Sequence, residues 1–239
     1  MDLRDRLIVA LDTPSLAGAE ALAARLDGVV RWFKVGSHLY TAAGPAAVSA
    51  LLRRGRVFLD LKYHDIPSTV AGAVEAAARQ GIGMCTVHAS GGTAMMKAAR
   101  EGADRGTSSG GSRTRVIGVT VLTSEDAAGL SEVGVDGSPL EVTLRLARLA
   151  RAAGLAGVVT SPREAAAVRA QCGPEFLLVC AGIRPEGAAR GDQRRVHTPR
   201  DAVAAGADML VVGRPITQSD DPRAAAEEII RQIAGDVGG

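Results

Sequence analysis

Short, largely apolar runs alternate along the chain with longer segments in which Ala and Leu recur at helical spacing. The short runs are typical of strands that are buried on both faces of a parallel sheet. The longer segments have the period of helices that pack one face against such a sheet. Eight strands are predicted in this way, at residues 7–11, 32–36, 57–62, 84–88, 116–122, 157–160, 176–180 and 209–212.

This alternation of strands and helices predicts an α/β fold, the (β/α)8 or TIM barrel. The first four helices are predicted at residues 16–26, 45–53, 70–80 and 93–101. A doubly wound open sheet is the alternative, but its usual Gly-x-Gly-x-x-Gly turn is missing after the first strand. The length of 239 residues suits one barrel, so we expect residues 1–239 to form a single domain. Residues 102–113 are expected to be a mobile linker with no assigned chemistry.

Composition and charge narrow the function classes. A net charge of +2 gives no broad basic field, so neither DNA nor RNA is an expected partner. The charged N-terminus has no signal-peptide core, and no apolar run is long enough to span a bilayer. The three cysteines form no Cys-x-x-Cys pair, and the four histidines lack the spacing of metal ligands. We therefore expect a soluble cytoplasmic protein with no metal site and no membrane partner.

The densest candidate chemistry lies in residues 58–67, where ionisable residues interrupt an apolar run. Side chains in a strand alternate faces, so Asp60 and Lys62 are predicted to project to the same side. Buried charges are costly unless they are paired, so the simplest interpretation is a structural ion pair. The continuation through Asp65 and Thr69 makes the run more specific than a bare Asp-x-Lys, which favours a functional role.

Polar residues also follow most of the other predicted strands. In a (β/α)8 barrel the carboxyl ends of the strands carry the active site, so these residues are expected to share one rim. The set comprises Asp12, Lys34, Asp60, Lys62, His88, Thr123, Thr160, Ser161, Arg184 and Arg214. Arg184 and Arg214 lie in glycine-containing loops after the last two strands, where such barrels commonly bind phosphate. We interpret residues 186–198 as a lid over that phosphate, with a solvated charged loop as the alternative.

The run Asp-x-Lys-x-x-Asp-Ile-Pro-x-Thr closely resembles the active-site signature of the orotidine 5'-phosphate decarboxylase family. The resemblance extends from Asp12 to Arg214, in order and spacing as well as in residue identity. The further matches are Ala-Leu-Asp ending at Asp12, Lys34 in Lys-Val-Gly, Val87-His88-Ala89, Leu122-Thr123-Ser124, Gly182-Ile183-Arg184-Pro185, Gly191-Asp192-Gln193 and Val212-Gly213-Arg214.

The resemblance implies conversion of orotidine 5'-phosphate to UMP and CO2, the last step of de novo UMP biosynthesis, without a cofactor. It implies a catalytic charge array of Lys34, Asp60, Lys62 and Asp65, in which Lys62 donates a proton to C6 of the substrate. The implied binding roles are Asp12 and Lys34 for the ribose hydroxyls, Thr123 for the pyrimidine region, Gln193, Gly213 and Arg214 for the phosphate, and Arg184 in the same nucleotide site. It also implies a homodimer in which Asp65, Ile66 and Thr69 reach the active site of the partner subunit.

Two other functions remain open from the sequence. Sugar-phosphate enzymes of the same superfamily, such as 3-keto-L-gulonate 6-phosphate decarboxylase, share the Asp-x-Lys-x-x-Asp run but bind Mg2+ through an acidic residue near the end of the second strand. This chain has Lys34 there, whereas a divalent cation needs oxygen ligands. A catalytically dead barrel that only senses a nucleotide would be expected to lack Asp60, Lys62 or Asp65, and all three are present.

Overall fold

The computed structural model describes residues 2–108, 110–185 and 197–235. These residues form a closed barrel of eight parallel strands, which confirms the predicted (β/α)8 fold. The strands are β1 (Leu7–Ala10), β2 (Trp32–Gly36), β3 (Arg56–Tyr63), β4 (Met84–His88), β5 (Arg115–Val119), β6 (Gly157–Thr160), β7 (Leu177–Cys180) and β8 (Met209–Val212). The described α-helices are α1 (Leu16–Arg25), α2 (Ser37–Ala43), α3 (Pro45–Leu52), α4 (Pro67–Arg79), α5 (Gly92–Gly106), α6 (Ala127–Glu132), α7 (Pro139–Ala152), α8 (Pro162–Cys172), α9 (Pro199–Ala204), α10 (Arg214–Thr217) and α11 (Pro222–Ala234). Across the described ranges, no helix is both long enough and apolar enough to cross a membrane.

Each strand pairs with the next one along the chain, and β8 closes the barrel against β1. Val9 of β1, for example, lies opposite Phe33 of β2 on one side and Val212 of β8 on the other. Because all the strands run in the same direction, their carboxyl ends meet at one rim. The polar residues that end or follow the strands are thereby brought to one end of the barrel.

Apolar side chains fill the barrel interior and the layer between the barrel and its helices. One cluster comprises Ile8, Trp32, Phe58, Met84, Ile117, Leu177, Val179 and Met209, at alternate positions of the strands. A larger cluster includes the intervening strand residues Val9, Phe33 and Leu59, which pack towards the helices. Both faces of each strand are therefore buried, which explains why the strands read as apolar runs in the sequence.

Proline marks the start of many helices. Seven of the eleven α-helices in the described residues carry Pro in their first turn. At this position the missing N–H breaks no helical hydrogen bond, and the fixed φ suits the helix. In α4 this residue is Pro67, and only three residues separate it from Tyr63, the last residue of β3. The connection that carries the Asp-Ile-Pro run is consequently short.

The prediction of a linker at residues 102–113 is wrong for its first part, because α5 continues to Gly106. Glycine in a helix interior lowers stability, but here it permits a close approach between two helices. A Cβ at Gly102 would lie 2.3 Å from the carbonyl oxygen of Ala71 in α4. A Cβ at Gly106 would lie 2.4 Å from the carbonyl oxygen of Glu75, also in α4. The two glycines therefore serve a helix contact and not a loop.

The end of β5 and one additional helix also differ from the predictions. Strand β5 ends at Val119 and not at residue 122, because the chain turns there and the amide of Glu125 donates to the carbonyl oxygen of Leu122 at 2.9 Å. The short helix α2 was not predicted, since it lies between Gly36 and Gly44 and is only seven residues long. Neither difference moves a predicted rim residue away from the carboxyl end of the barrel.

Candidate active site

Four charged side chains from the first three strands form a continuous series of ion pairs at the carboxyl rim. Lys34 Nζ lies 3.1 Å from Asp12 Oδ1 and 3.5 Å from Asp60 Oδ2. Lys62 Nζ lies 3.0 Å from the same Asp60 oxygen. The charges alternate in sign along the series, so each buried or half-buried charge has a compensating neighbour. We call these four residues the charge array.

Asp60 is the most strongly held carboxylate of the array, with only 8% of the residue exposed. Thr86 Oγ1 donates a hydrogen bond to Asp60 Oδ1 at 3.0 Å and accepts one from Lys62 N at 2.9 Å. Burial acts to raise the pKa of the Asp60 carboxyl, but Lys34, Lys62 and the Thr86 hydroxyl outweigh it and hold that pKa below its usual value. Asp60 is thus an ionised carboxylate whose orientation is fixed from two sides.

Sequence reasoning overlooked two residues that build the array, Thr86 and Gly36. Thr86 lies two positions before His88 on β4, so the alternation of strand faces could have placed it towards the rim residues. Gly36 is the last residue of β2, where a Cβ would lie 2.8 Å from both Asp12 Oδ1 and Lys34 Nζ. Only glycine leaves room for that ion pair.

Lys62 has a backbone conformation that a regular strand does not allow. Its φ of 52° is the only positive value of a non-glycine residue in the described chain. The register between β3 and β4 shifts between Leu59 and Tyr63, whose partners are Cys85 and Val87. The prediction that Asp60 and Lys62 are neighbours is confirmed, but an irregular strand and not simple alternation brings them together. A left-handed non-glycine residue costs about 1–3 kcal/mol, and such strain is concentrated at functional sites.

A cavity of about 350 Å³ adjoins the array on the side of the last two strands. Its lining includes Asp12, Lys34, Arg184, Gly213, Arg214 and Gln218. Arg184 is buried, and its Nη1 donates to the carbonyl oxygen of Ile183 at 2.9 Å. Burial, together with the nearby Arg214, lowers the pKa of the Arg184 guanidinium. Two cationic groups that face one cavity beside the array form a suitable site for a phosphate.

Sequence comparisons agree with this geometry. The family model described as "Orotidine 5'-phosphate decarboxylase / HUMPS family" matches residues 5–229. This chain belongs to that family. It is 56% identical over 230 residues to the orotidine 5'-phosphate decarboxylase of Halorhodospira halophila, covering 96% of each chain. It is 53% identical over 237 residues to that of Moorella thermoacetica, covering 98% of this chain and 94% of the relative.

Comparison with solved structures gives the same result for the fold. The orotidine 5'-phosphate decarboxylase of Lactobacillus acidophilus aligns with a TM-score of 0.86 at 37% sequence identity, covering 96% of this chain and 99% of that one. The same comparison with an uncharacterised conserved protein of Geobacillus kaustophilus gives a TM-score of 0.84 at 41% identity, covering 95% and 99%. The barrel and the sequence thus place the chain in one family.

Three residues of this family signature, Asp65, Ile66 and Thr69, lie apart from the array within the chain. All three are exposed, Ile66 by 64%. Asp65 Oδ1 accepts a hydrogen bond from Ile66 N at 2.6 Å. Among the described residues, Lys62 forms an ion pair with Asp60 alone. Within one chain the array therefore lacks Asp65, and the role of these three residues in a partner subunit stays a prediction.

Two of the remaining predicted site residues are Thr123 and Gln193. Thr123 is half-buried in the loop that follows β5. Gln193, and the segment predicted as a lid except its last two residues, lie outside the described residues. The chain on either side of that segment meets at the rim, because Arg184 N donates to the carbonyl oxygen of His197 at 3.0 Å. Gln218, one helical turn after Arg214, was not predicted, although the spacing of four residues could have indicated it.

Proposed function

We propose that this protein decarboxylates orotidine 5'-phosphate to UMP and CO2 in pyrimidine biosynthesis, without a cofactor. The observation that carries the proposal is the charge array beside a cavity that two arginines line. Family membership supports the substrate, since relatives that are 53–56% identical over nearly the whole chain carry the name orotidine 5'-phosphate decarboxylase.

The chemical problem is the charge that develops at C6. When the bond between C6 and the carboxylate breaks, its electron pair stays on C6 and neutral CO2 leaves. Lys62 brings a positive charge to this carbanion and then transfers one Nζ proton to C6, which completes UMP. The resulting amine recovers a proton from solvent. Charges that are oriented before the reaction usually supply the largest part of an enzyme's rate enhancement.

The array is suited to this task because its members hold one another in place. Lys62 is fixed by Asp60, and Asp60 is fixed by Lys34 and the Thr86 hydroxyl. Little reorganisation is then needed as charge moves from the carboxylate to C6. In this arrangement Asp60 lies next to the substrate carboxylate, and their repulsion disappears as neutral CO2 leaves.

The substrate's ribose and phosphate are assigned to the groups that line the cavity and its surroundings. The proposed binding residues are Asp12 and Lys34 for the ribose hydroxyls, Thr123 for the pyrimidine, Gln193, Gly213 and Arg214 for the phosphate, and Arg184 in the same nucleotide site. Arg184 and Arg214 support the phosphate assignment because they line a single cavity with Asp12 and Lys34. Binding energy from the phosphate, remote from C6, can then be used to position the reacting end.

The site is proposed to be completed in a homodimer. Asp65 would supply a second carboxylate to the partner's Lys62, with Ile66 and Thr69 at the edge of the same site. Ile66 is 64% exposed and lies next to a carboxylate that, within the described ranges, is bonded only in its own turn, which supports a surface that a second copy covers.

The test is the loss of orotidine 5'-phosphate absorbance with purified protein in excess EDTA. The chain has three lysines, Lys34, Lys62 and Lys97, and Lys97 is exposed on α5, which makes it a matched control. We expect EDTA-resistant formation of UMP by the wild type and by Lys97→Ala, and none by Lys62→Ala. Unchanged turnover in Lys62→Ala would refute the role of Lys62 as the proton donor. Activity that EDTA abolishes and Mg2+ restores would reject the cofactor-free reaction.

A further inference from the structure

A cavity larger than that of the candidate active site lies at the opposite end of the barrel. It measures about 650 Å³ and opens where β2, β3 and β5 begin, beside the loop that follows α5. Cavities of 300–1,000 Å³ are the usual size for small-molecule sites. Neither the family signature nor the proposed reaction uses this face.

Three arginines, Arg56, Arg113 and Arg115, contribute to the lining of this cavity, and no Asp or Glu is among the described lining residues. Arg56 Nη1 lies 3.4 Å from Asp5, and Arg113 pairs with Asp104, both outside the lining. Arg115 has no carboxylate within ion-pair distance in the described chain, although it is only partly exposed. The lining itself carries only cationic side chains, although Asp5 also adjoins Arg56 and Arg115 in a small neighbouring cavity.

Two of these guanidinium groups lie against the ring of Trp32. The Arg115 guanidinium lies 5.3 Å from the centre of the indole ring and that of Arg56 lies 5.6 Å from it. The ring is 1% exposed, and a Cβ at Gly83 would lie 2.5 Å from it, so its position is fixed by close packing. Burial, with Arg56 as the second cause, lowers the pKa of the Arg115 guanidinium, and Asp5 acts against this shift. A further anion that binds these guanidinium groups would offset the cost of bringing them close to one another.

Two serine hydroxyl groups add hydrogen-bond donors to the lining of this cavity. Ser108 and Ser112 lie on the described parts of the loop after α5, and both line the cavity. Arginine side chains supply paired N–H donors, and serine hydroxyls add further donors to the same oxygens. A ligand with several negative charges can compete with Asp5 and Asp104 for Arg56 and Arg113, which a single carboxylate does less well. An oligophosphate has both this charge and the oxygen geometry.

We propose that the cavity at the amino end of the barrel binds an oligophosphate-bearing small molecule through Arg56, Arg113 and Arg115. This site is separate from the phosphate site of Arg184 and Arg214, and it does not depend on the proposed decarboxylation. The buried indole cannot stack on a base, so recognition is by the phosphate groups and not by a nucleobase.

Trp32 provides a direct readout, because it is the only tryptophan of the chain. Inorganic pyrophosphate is the probe, titrated at constant ionic strength and followed by tryptophan emission and by calorimetry. The titration uses the Arg214→Ala variant as well as the wild type, so that binding at the candidate active site is reduced. We expect a saturable emission change of the same midpoint in both proteins.

Two variants test the wall of the cavity. Arg115→Gln removes one charge-assisted donor, which we expect to weaken pyrophosphate binding by about tenfold or more. Ser112→Asp keeps all three arginines and the indole but adds a negative charge at an exposed position, and it should also weaken binding. Both variants should keep the wild-type circular dichroism and decarboxylation rate, which shows that they fold.

Three results would overturn the proposal. The first is the absence of saturable binding to the wild type. The second is undiminished affinity in both Arg115→Gln and Ser112→Asp. The third is an equal response to sodium chloride or sulfate, which would show a general effect of salt. Because none of these readouts measures turnover, they stay separate from a failure of the proposed function.

Discussion

Replacing Thr86 with valine removes a buried hydroxyl from the charge array while nearly preserving the shape of the side chain. The hydroxyl donates to Asp60 Oδ1 at 3.0 Å and accepts from Lys62 N at 2.9 Å. A hydrogen bond to a charged group contributes about 1.5–3 kcal/mol, and an unsatisfied amide adds a further cost. We expect Thr86→Val to lower the free energy of unfolding by about 2–4 kcal/mol.

The same substitution should slow turnover, because Asp60 loses one of the contacts that orient it towards Lys62. A small displacement of a positioned group can reduce a rate ~100-fold, so we expect a decrease of about 10- to 100-fold in kcat. The change in KM should be smaller, since the ribose and phosphate contacts are not altered. The rate is measured by the absorbance loss of orotidine 5'-phosphate, and stability by urea unfolding.

The pH dependence of stability provides a second readout. Asp60 has a folded-state pKa below its usual value, so its contribution to stability is present above the unfolded pKa and is lost as pH falls through the folded pKa. Thr86 is one of the groups that lower this pKa. Thr86→Val should therefore raise the folded pKa, and acid unfolding should begin at a higher pH than in the wild type.

Thr114→Val is the matched control. Thr114 is also buried, but its hydroxyl donates to the backbone carbonyl oxygen of Ile82 at 2.8 Å, away from the rim. This variant should lose about 1 kcal/mol of stability and keep its turnover and acid midpoint. If Thr86→Val behaved like Thr114→Val in all three measurements, the argument that the hydroxyl orients the array would be refuted.

Two other predictions concern the helices and the dimer. Gly102→Ala should destabilise the protein by about 1–3 kcal/mol, because its Cβ would lie 2.3 Å from a backbone oxygen of α4. Gly72→Ala is the control, because Gly72 is exposed on α4 and no atom lies within 4 Å of the new Cβ. This variant should instead stabilise the protein by about 0.4–1 kcal/mol. Equal effects of the two substitutions in urea unfolding would contradict the close contact between α4 and α5. Inactive Lys62→Ala and Asp65→Ala proteins, unfolded and refolded together, should regain activity, since a hybrid dimer has one complete site. No recovery, despite hybrid formation in native mass spectrometry, would argue against a shared site.

The strands could be predicted from the sequence because burial on both faces leaves few polar positions in them. The carboxyl ends of these strands could also be predicted, so Asp12, Lys34, Arg184 and Arg214 were correctly expected at one rim. The distances between these four side chains could not be predicted, because those distances depend on how the barrel closes.

What sequence reasoning missed has physical causes. Thr86 was overlooked because a threonine is common in strands, and only the neighbouring carboxylate gives it a role. Gly102 and Gly106 have the same residue type as loop glycines, and only the packing of α5 on α4 distinguishes them. The positive φ of Lys62 could not be predicted from the sequence, because glycine is the residue that normally adopts this conformation.

The left-handed backbone of Lys62 also has an evolutionary consequence. Glycine or asparagine would relax more easily into this conformation, so selection for stability alone disfavours lysine at position 62. On the proposed mechanism, lysine persists there because its amine is needed. In a lineage that kept the barrel but abandoned the reaction, this position would be among the first to drift. If the proposed role of Lys62 is right, retention of lysine in this conformation would accompany retention of the reaction.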